Sequence, residues 1–156
     1  MNLREIEKND IKDILNIRVS TKENHFSMDD LAKVGVTPES VSKWLDSSVK
    51  GWICEVSDRS VGFAMADSAT AEVLVVACYP EYENKGIGKK LMLKLQNWLW
   101  SFGHEEIWLW SDPDENIRAH GFYRKLGWQP TGEVSGNDEK LKLKRSTVNK
   151  RRHANT

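Results

Sequence analysis

Segment 83–90, Glu-Asn-Lys-Gly-Ile-Gly-Lys-Lys, holds two glycines and three lysines where the chain changes from a strand pattern to a helix pattern. The apolar run 71–79 precedes it, and apolar residues recur at helical spacing over 87–102 after it. A helix start presents unpaired backbone N–H groups and the positive end of the helix dipole, and glycine lets a ligand approach the backbone closely. The segment therefore predicts an anion site, best suited to a phosphate or pyrophosphate.

The common nucleotide motifs do not account for this segment. The chain has no G-x-x-x-x-G-K-[S/T] run, and Gly86-Ile87-Gly88 lacks the third small residue of G-x-G-x-x-G/A. A G-x-G pair alone often serves only a tight turn at positive φ. The assignment of a ligand therefore depends on a second motif.

A second predicted helix carries Tyr123 and follows the alternating strand pattern of 106–110. Its start has the pattern of a capping box and its end that of a left-handed glycine, at Asp112, Pro113, Glu115 and Gly127. Tyr123 lies on or beside the apolar stripe of this helix. Its hydroxyl is either a core group bonded to a neighbour or a general acid at the edge of a pocket.

The two segments together resemble the GNAT superfamily of N-acetyltransferases. The family's phosphate motif, [Q/R]-x-x-G-x-[G/A] after a buried strand, is similar to segment 83–88. Its later motif, N-x-x-A-x-x-x-Y-x-x-x-G-[F/W], is matched at each position, by Asn116, Ala119, Tyr123, Gly127 and Trp128. The resemblance covers roughly 51–128, and the two motifs in this order are more specific than either one.

The resemblance implies transfer of an acetyl group from acetyl-coenzyme A, as co-substrate, to a primary amine by direct attack. Tyr123 would protonate the departing thiolate, and Asn116 would contact the pantetheine arm or hold its loop. The backbone at the end of the central strand would bind that arm, at Val76, Ala77 and Cys78. Backbone N–H groups would hold the pyrophosphate, at Asn84, Lys85, Gly86, Ile87, Gly88 and Lys89.

The resemblance also makes Glu72 the candidate general base. Histone-type members of the superfamily have a glutamate early on this strand that deprotonates the amine, usually through water, and Glu72 stands at the matching distance before the glycines. A lysine-like amine has a pKa of about 10.4 and must lose a proton before it attacks. The alternative for Glu72 is a solvated carboxylate at a strand start. This chemistry needs neither a metal nor a covalent enzyme intermediate.

Glu83 departs from the family pattern, which has Gln or Arg at this position. A carboxylate beside a pyrophosphate repels it unless it points to solvent or pairs with a cation such as Lys85. The departure leaves a second hypothesis, a non-catalytic acyl-coenzyme A-binding regulatory module on the same fold.

The order of the predicted strands and helices indicates an α/β (α+β) fold with a mixed central sheet and helices on both faces. With the family resemblance, this is a single GNAT-like domain. The predicted domain spans 1–143, and the basic tail 144–156 is expected to be disordered. The other predicted strands are 2–7, 51–56, 60–65, 128–133 and 140–143, and the other predicted helices are 9–24 and one that opens at 37 and runs to 45.

Composition and sequence patterns limit the kinds of partner and the cellular compartment that are expected. The chain has 156 residues with 23 basic and 23 acidic side chains, so its net charge of zero does not favour nucleic-acid binding. Short apolar runs and the lack of a signal-peptide pattern predict a cytoplasmic protein without a membrane partner. In that compartment Cys54 and Cys78 are expected to be reduced thiols. The scattered histidines form no metal motif.

The acceptor amine stays open at this stage. The family resemblance places the acceptor pocket in roughly 19–45, where Glu23, Asp29, Asp30 and Trp44 would suit a cationic amine or an ordinary surface. A small amine, an amino-acid derivative, an antibiotic and a protein amine are all compatible with the sequence, and so is a homodimer.

Overall fold

The computed structural model describes residues 1–21 and 27–148. Its strands are β1 Asn2–Glu5, β2 Val49–Val56, β3 Arg59–Asp67, β4 Glu72–Cys78, β5 Glu106–Ser111, β6 Gln129–Ser135 and β7 Asp138–Lys144. Its helices are α1 Ile11–Val19, α2 Met28–Lys33, α3 Pro38–Leu45, α4 Ile87–Ser101 and α5 Arg118–Lys125, with short 3₁₀ turns at Lys8–Asp10 and Pro80–Tyr82. The strands form one sheet in the order β1-β2-β3-β4-β5-β7-β6. The predicted mixed α/β fold is confirmed.

Helices cover the sheet on both faces, and the side chains of β3 point alternately to one face and the other. Phe63 and Met65 pack with α1 and α3, whereas Ala64 and Ala66 pack with α4. Side chains of successive strand residues point to opposite faces, so this apolar strand supplies both cores. The small residues on the α4 side leave room for the large apolar side chains of that helix.

Strands β4 and β5 pair over only a short length, so the sheet is open at its centre. Among the described residues, the parallel pairing of these strands consists of Glu72 opposite Trp108. The pairing of β3 with β4 shifts register between Met65 and Ala66, which leaves Leu74 without an opposite residue. Beyond Glu72 the two strands separate, so β4 has a free backbone edge facing a gap.

The helices differ from the sequence prediction at three places. Of the helix predicted over 9–24, the described residues form α1, and residues 22–24 lie outside the described residues. Helix α2 was not predicted. The predicted start of α5 at Asp112 is wrong, because carboxylates of the loop accept backbone N–H bonds instead: Asp112 Oδ1 from Asp114 and Asp114 Oδ1 from Asn116, both at 2.9 Å. Such side-chain bonds compete with helix formation.

Regular structure continues past residue 143, the predicted end of the domain. Lys144 is the last residue of β7, the N–H of Arg145 donates to the carbonyl of Glu105 at 2.9 Å, and Val148 packs against the α4-side core. Residues 149–156 of the predicted disordered tail, with its basic cluster, lie outside the described residues, as does Glu23.

An ion pair joins β1 to the start of α1, and its loss is expected to be costly. Arg4 donates two bonds of 2.8 Å to the Asp10 carboxylate, which also accepts the N–H of Glu7 at 2.8 Å. The bonds with Arg4 lower the pKa of Asp10. Asp10→Asn is expected to lower the free energy of unfolding at neutral pH by about 1–3 kcal/mol. Denaturant titration measures this.

The pH dependence and an exposed ion pair serve as controls. Because the folded-state pKa of Asp10 is depressed, its stabilisation is present above the unfolded-state pKa and is lost as the pH falls through the folded-state value. The difference from Asp10→Asn should therefore shrink in acid. Asp46, which pairs with Lys8 at 2.6 Å on the surface, should cost at most about 1 kcal/mol when changed to Asn. Equal costs for the two variants would contradict a special role for Asp10.

Candidate active site

A cavity of about 630 Å³ occupies the gap between β4 and β5. Its wall consists of the second half of β4, the end of β5, the first turn of α4, one face of α5 and the end of α1. The volume lies in the range of small-molecule and cofactor sites. The predicted residues that line it are Val76, Ala77, Cys78, Asn84, Gly86, Ile87, Gly88, Lys89 and Tyr123.

The glycine turn presents an open helix N-terminus to this cavity. Gly86 is the N-cap of α4 at φ +83°, no side chain caps the helix, and Asn84 also has a positive φ of 61°. A Cβ on Gly86 would meet open space, whereas one on Gly88 would lie 3.3 Å from the Phe122 ring. Gly86 therefore serves the backbone turn, and Gly88 lets α4 approach α5. The first turn of α4 has no acidic residue and includes Lys89, so these residues fit a bound anion.

Glu83 is neutralised by an arginine that the sequence analysis did not identify. The Nε atom of Arg118 lies 3.9 Å from Glu83 Oε2 and donates to Asn84 Oδ1 at 3.3 Å. Arg118 also lines the cavity. The cation beside Glu83 is therefore Arg118, at the start of α5, and not the suggested Lys85. The one sequence signal for it is its place between Asn116 and Ala119 of the second motif.

Tyr123 lies in the cavity wall with its ring between Phe122 and Trp128, at centroid distances of 5.2 and 6.0 Å. Burial raises the pKa of the Tyr123 hydroxyl to about 12, and the positive charge of Arg18 opposes that rise. The hydroxyl therefore keeps its proton at neutral pH, as a general acid must. Arg18, at the end of α1, also lines the cavity and was not predicted.

Three predicted site residues, Glu72, Lys85 and Asn116, do not line the cavity. Lys85 and Asn116 are exposed beside it, on the glycine turn and on the loop before α5. Glu72 begins β4, four residues and about 13 Å along the strand from Val76. Burial raises the pKa of Glu72, as does the neighbouring Asp67.

Cys78 lines the cavity as a free, half-buried thiol. Burial raises its pKa, which disfavours the thiolate that acyl transfer through a cysteine would need. Within 1–21 and 27–148, no group of three or more His, Cys, Asp or Glu residues is arranged to hold a metal ion. A reaction without a metal stays a prediction.

A model of the acetyltransferase (GNAT) family matches residues 11–128, most of the described chain. This protein belongs to the GNAT family. It is an acetyl-coenzyme A-dependent N-acetyltransferase. Its glycine turn and its Tyr123 segment both lie inside the matched region.

Solved structures share the fold of this acetyltransferase. The PaiA N-acetyltransferase of Thermoplasma acidophilum, in complex with coenzyme A, is 19% identical with a TM-score of 0.78, over 92% of this chain and 99% of that one. The spermidine/spermine N-acetyltransferase SpeG of Vibrio cholerae is 16% identical with a TM-score of 0.66, over 96% and 98%. The ribosomal-protein-alanine N-acetyltransferase of Brucella melitensis is 15% identical with a TM-score of 0.71, over 92% and 99%. No curated protein sequence matches the chain.

None of the helices that the structure describes is long and apolar enough to cross a membrane. The cytoplasmic location, the lack of nucleic-acid partners and the possible homodimer stay predictions.

Proposed function

We propose that this acetyltransferase acetylates a primary amine by direct attack of the amine on acetyl-coenzyme A in the cavity between β4 and β5. The observation that carries the proposal is the joint placement of three parts around one cavity. These are the free edge of β4, the uncapped N-terminus of α4 at Gly86, and the protonated hydroxyl of Tyr123.

The free edge of β4 is suited to the pantetheine arm. Val76, Ala77 and Cys78 lie past the point where β4 and β5 separate, so no strand of the described chain pairs with their backbone on that side. An extended chain with amide groups can add to such an edge by backbone hydrogen bonds. These residues would also hold the thioester carbonyl in a fixed orientation.

The turn before α4 is suited to the pyrophosphate. Backbone N–H groups from Asn84 to Lys89 surround the start of the helix, and Arg118 adds a guanidinium at the same place. A guanidinium matches phosphate geometry and donates charge-assisted bonds. Arg118 therefore offsets the negative charge of Glu83, and Asn116 is the proposed support of the arm from the loop before α5.

Tyr123 is the proposed general acid. The amine nitrogen forms a bond to the carbonyl carbon, the carbon–sulfur bond breaks, and the thiolate takes the hydroxyl proton. A phenol is a weaker acid than a thiol, so this donation requires stabilisation of the phenolate. Burial outweighs the positive charge of Arg18 in the pKa of Tyr123, so Arg18 is proposed to contribute part of that stabilisation.

Glu72 is the proposed base, acting through water because of its distance from the cavity. A base works only when it is deprotonated, so activity should rise with pH through the raised pKa of Glu72. Glu72→Gln is expected to lower kcat/KM by at least tenfold and to remove that acidic limb. The pH dependence of kcat/KM measures it.

A matched carboxylate controls this prediction. Glu106 begins β5 and is exposed to solvent, as a strand-start carboxylate with no role in catalysis should be. Glu106→Gln should leave the profile unchanged. If Glu72→Gln lowers the rate but keeps the acidic limb in place, another group is the base.

The family match favours the enzyme over the non-catalytic module that Glu83 suggested. Calorimetric titration with acetyl-coenzyme A, with ATP and NAD as controls, followed by thioester consumption with a panel of amines, tests the proposal. Saturable binding with amine-dependent consumption supports it. Binding without consumption by any amine contradicts transfer to a primary amine, and no binding contradicts the assignment of the cavity.

A further inference from the structure

A second cavity of about 230 Å³ adjoins the first on the α1–α3 side of the sheet. Arg18, Leu74 and Val75 line both cavities, so the two meet at the centre of β4. The floor and walls of the second cavity are apolar, with Leu15, Leu31, Val41, Phe63 and Met65 among them. An amine bound there would stand next to the strand segment that holds the thioester in the proposed function.

Two exposed apolar side chains at this cavity mark it as a binding surface. Leu74 is 40% exposed although it lies in the middle strand of the sheet, at the position of the register shift against β3. Val34, past the end of α2, is 67% exposed and also lines the cavity. Concave apolar surfaces that stay open in the folded chain are typical of ligand sites.

The charge of the described lining disfavours a polycationic acceptor, one of the options that the sequence left open. Of the described lining residues, Arg18 alone carries a formal charge. Trp44 lines the cavity as expected, but Asp29 and Asp30 do not. Burying an ammonium group in apolar surroundings without a carboxylate is costly. The described part of the lining therefore disfavours a second positive charge on the acceptor.

We infer that the acceptor is a primary amine with an apolar substituent, and that the cavity under Leu74 binds that substituent while the amine faces the main cavity. The inference rests on the proposed function. Each methylene transferred from water into this cavity should raise affinity about fourfold. A second ammonium at the far end of the substituent should cancel that gain.

A series of alkylamines with matched amine basicity tests the inference. From propylamine to hexylamine, kcat/KM is expected to rise about fourfold per methylene until the cavity is filled. Pentane-1,5-diamine, which has the length of hexylamine with an ammonium in place of the terminal methyl group, should be poorer by at least tenfold. A flat series, or a preference for the diamine, would overturn the inference.

Leu74→Glu tests the place of the subsite, since an exposed side chain can be changed without loss of the core. It should lower kcat/KM for hexylamine by at least tenfold and raise the ratio of diamine to hexylamine activity, both measured at saturating acetyl-coenzyme A. Leu93, which is 42% exposed on α4 and lines neither cavity, is the matched control. Leu93→Glu should change neither value. An equal loss in both variants counts against the subsite.

Binding without turnover separates this inference from the proposed function. Hexylamine is titrated calorimetrically into protein saturated with coenzyme A, for the wild type and for Leu74→Glu. Binding that Leu74→Glu abolishes supports the subsite even if no amine is acetylated, in which case direct transfer is the part that fails. Transfer to other amines without hexylamine binding overturns the subsite and leaves the proposed function standing.

Discussion

Tyr123→Phe is expected to lower kcat by about 10²–10³-fold and to leave the dissociation constant of acetyl-coenzyme A within about twofold of the wild-type value. The substitution removes only the hydroxyl. The ring keeps its contacts with Phe122 and Trp128, so the cavity wall keeps its shape. An effect confined to kcat would identify a group that acts in the transition state.

Tyr79→Phe is the matched control for this experiment. The Tyr79 ring packs under the guanidinium of Arg59, with the Arg59 carbon 4.7 Å from the ring centroid, and Tyr79 does not line the cavity. This variant should keep wild-type kcat. A normal kcat in Tyr123→Phe would make Tyr123 a core residue and would remove the proposed acid.

The pH profile gives an independent test of Tyr123. An acid works only while it is protonated, so its contribution is lost as the pH rises through its pKa of about 12. Within the usual assay range the hydroxyl stays protonated, and the Tyr123→Phe profile should have the wild-type shape at a lower level. A basic limb near neutral pH that disappears in the variant would contradict the high pKa.

The sequence predicted the parts of this site that depend on neighbouring residues. Gly86 and Tyr123 stand in local patterns, a strand-to-helix turn and a helix stripe, whose spacing is visible along the chain. The structure places both in one cavity wall. The start of α5 was missed because Asp112 and Asp114 offer two alternatives, a helix cap and loop bonds to the backbone, that composition alone does not rank.

The parts that depend on distant pairing were not predictable. Arg118 reaches Glu83 across 35 positions only because α5 packs beside the glycine turn. Leu74 lies exposed at a register shift against β3, and such a shift is a property of two strands together. The sequences of β4 and β5 do not indicate that the two strands pair over so short a length, since both are ordinary apolar segments. These parts of the binding surface therefore became visible only in the tertiary structure.

Arg118→Gln is expected to raise the dissociation constant of acetyl-coenzyme A by about 10–30-fold. It removes a charge-assisted donor from the proposed pyrophosphate site and leaves Glu83 without its ion-pair partner. Glu83→Gln should have the opposite sign and tighten binding by a few-fold, because it removes a repulsive charge. Calorimetric titration measures both, and the effect of Arg118→Gln should weaken at high salt.

Two controls show whether Arg118 acts on the phosphates or only on the fold. Arg59 pairs with Glu81 at 3.6 Å, a similar exposed pair outside the cavity, so Arg59→Gln should leave the dissociation constant unchanged. Acetyl-pantetheine has no pyrophosphate, so Arg118→Gln should not change its KM. If the variant weakens acetyl-pantetheine as much as acetyl-coenzyme A, Arg118 positions α5 and does not contact the phosphates. A loss specific to acetyl-coenzyme A would mean that the positive charge missing at position 83 has been replaced from the start of α5.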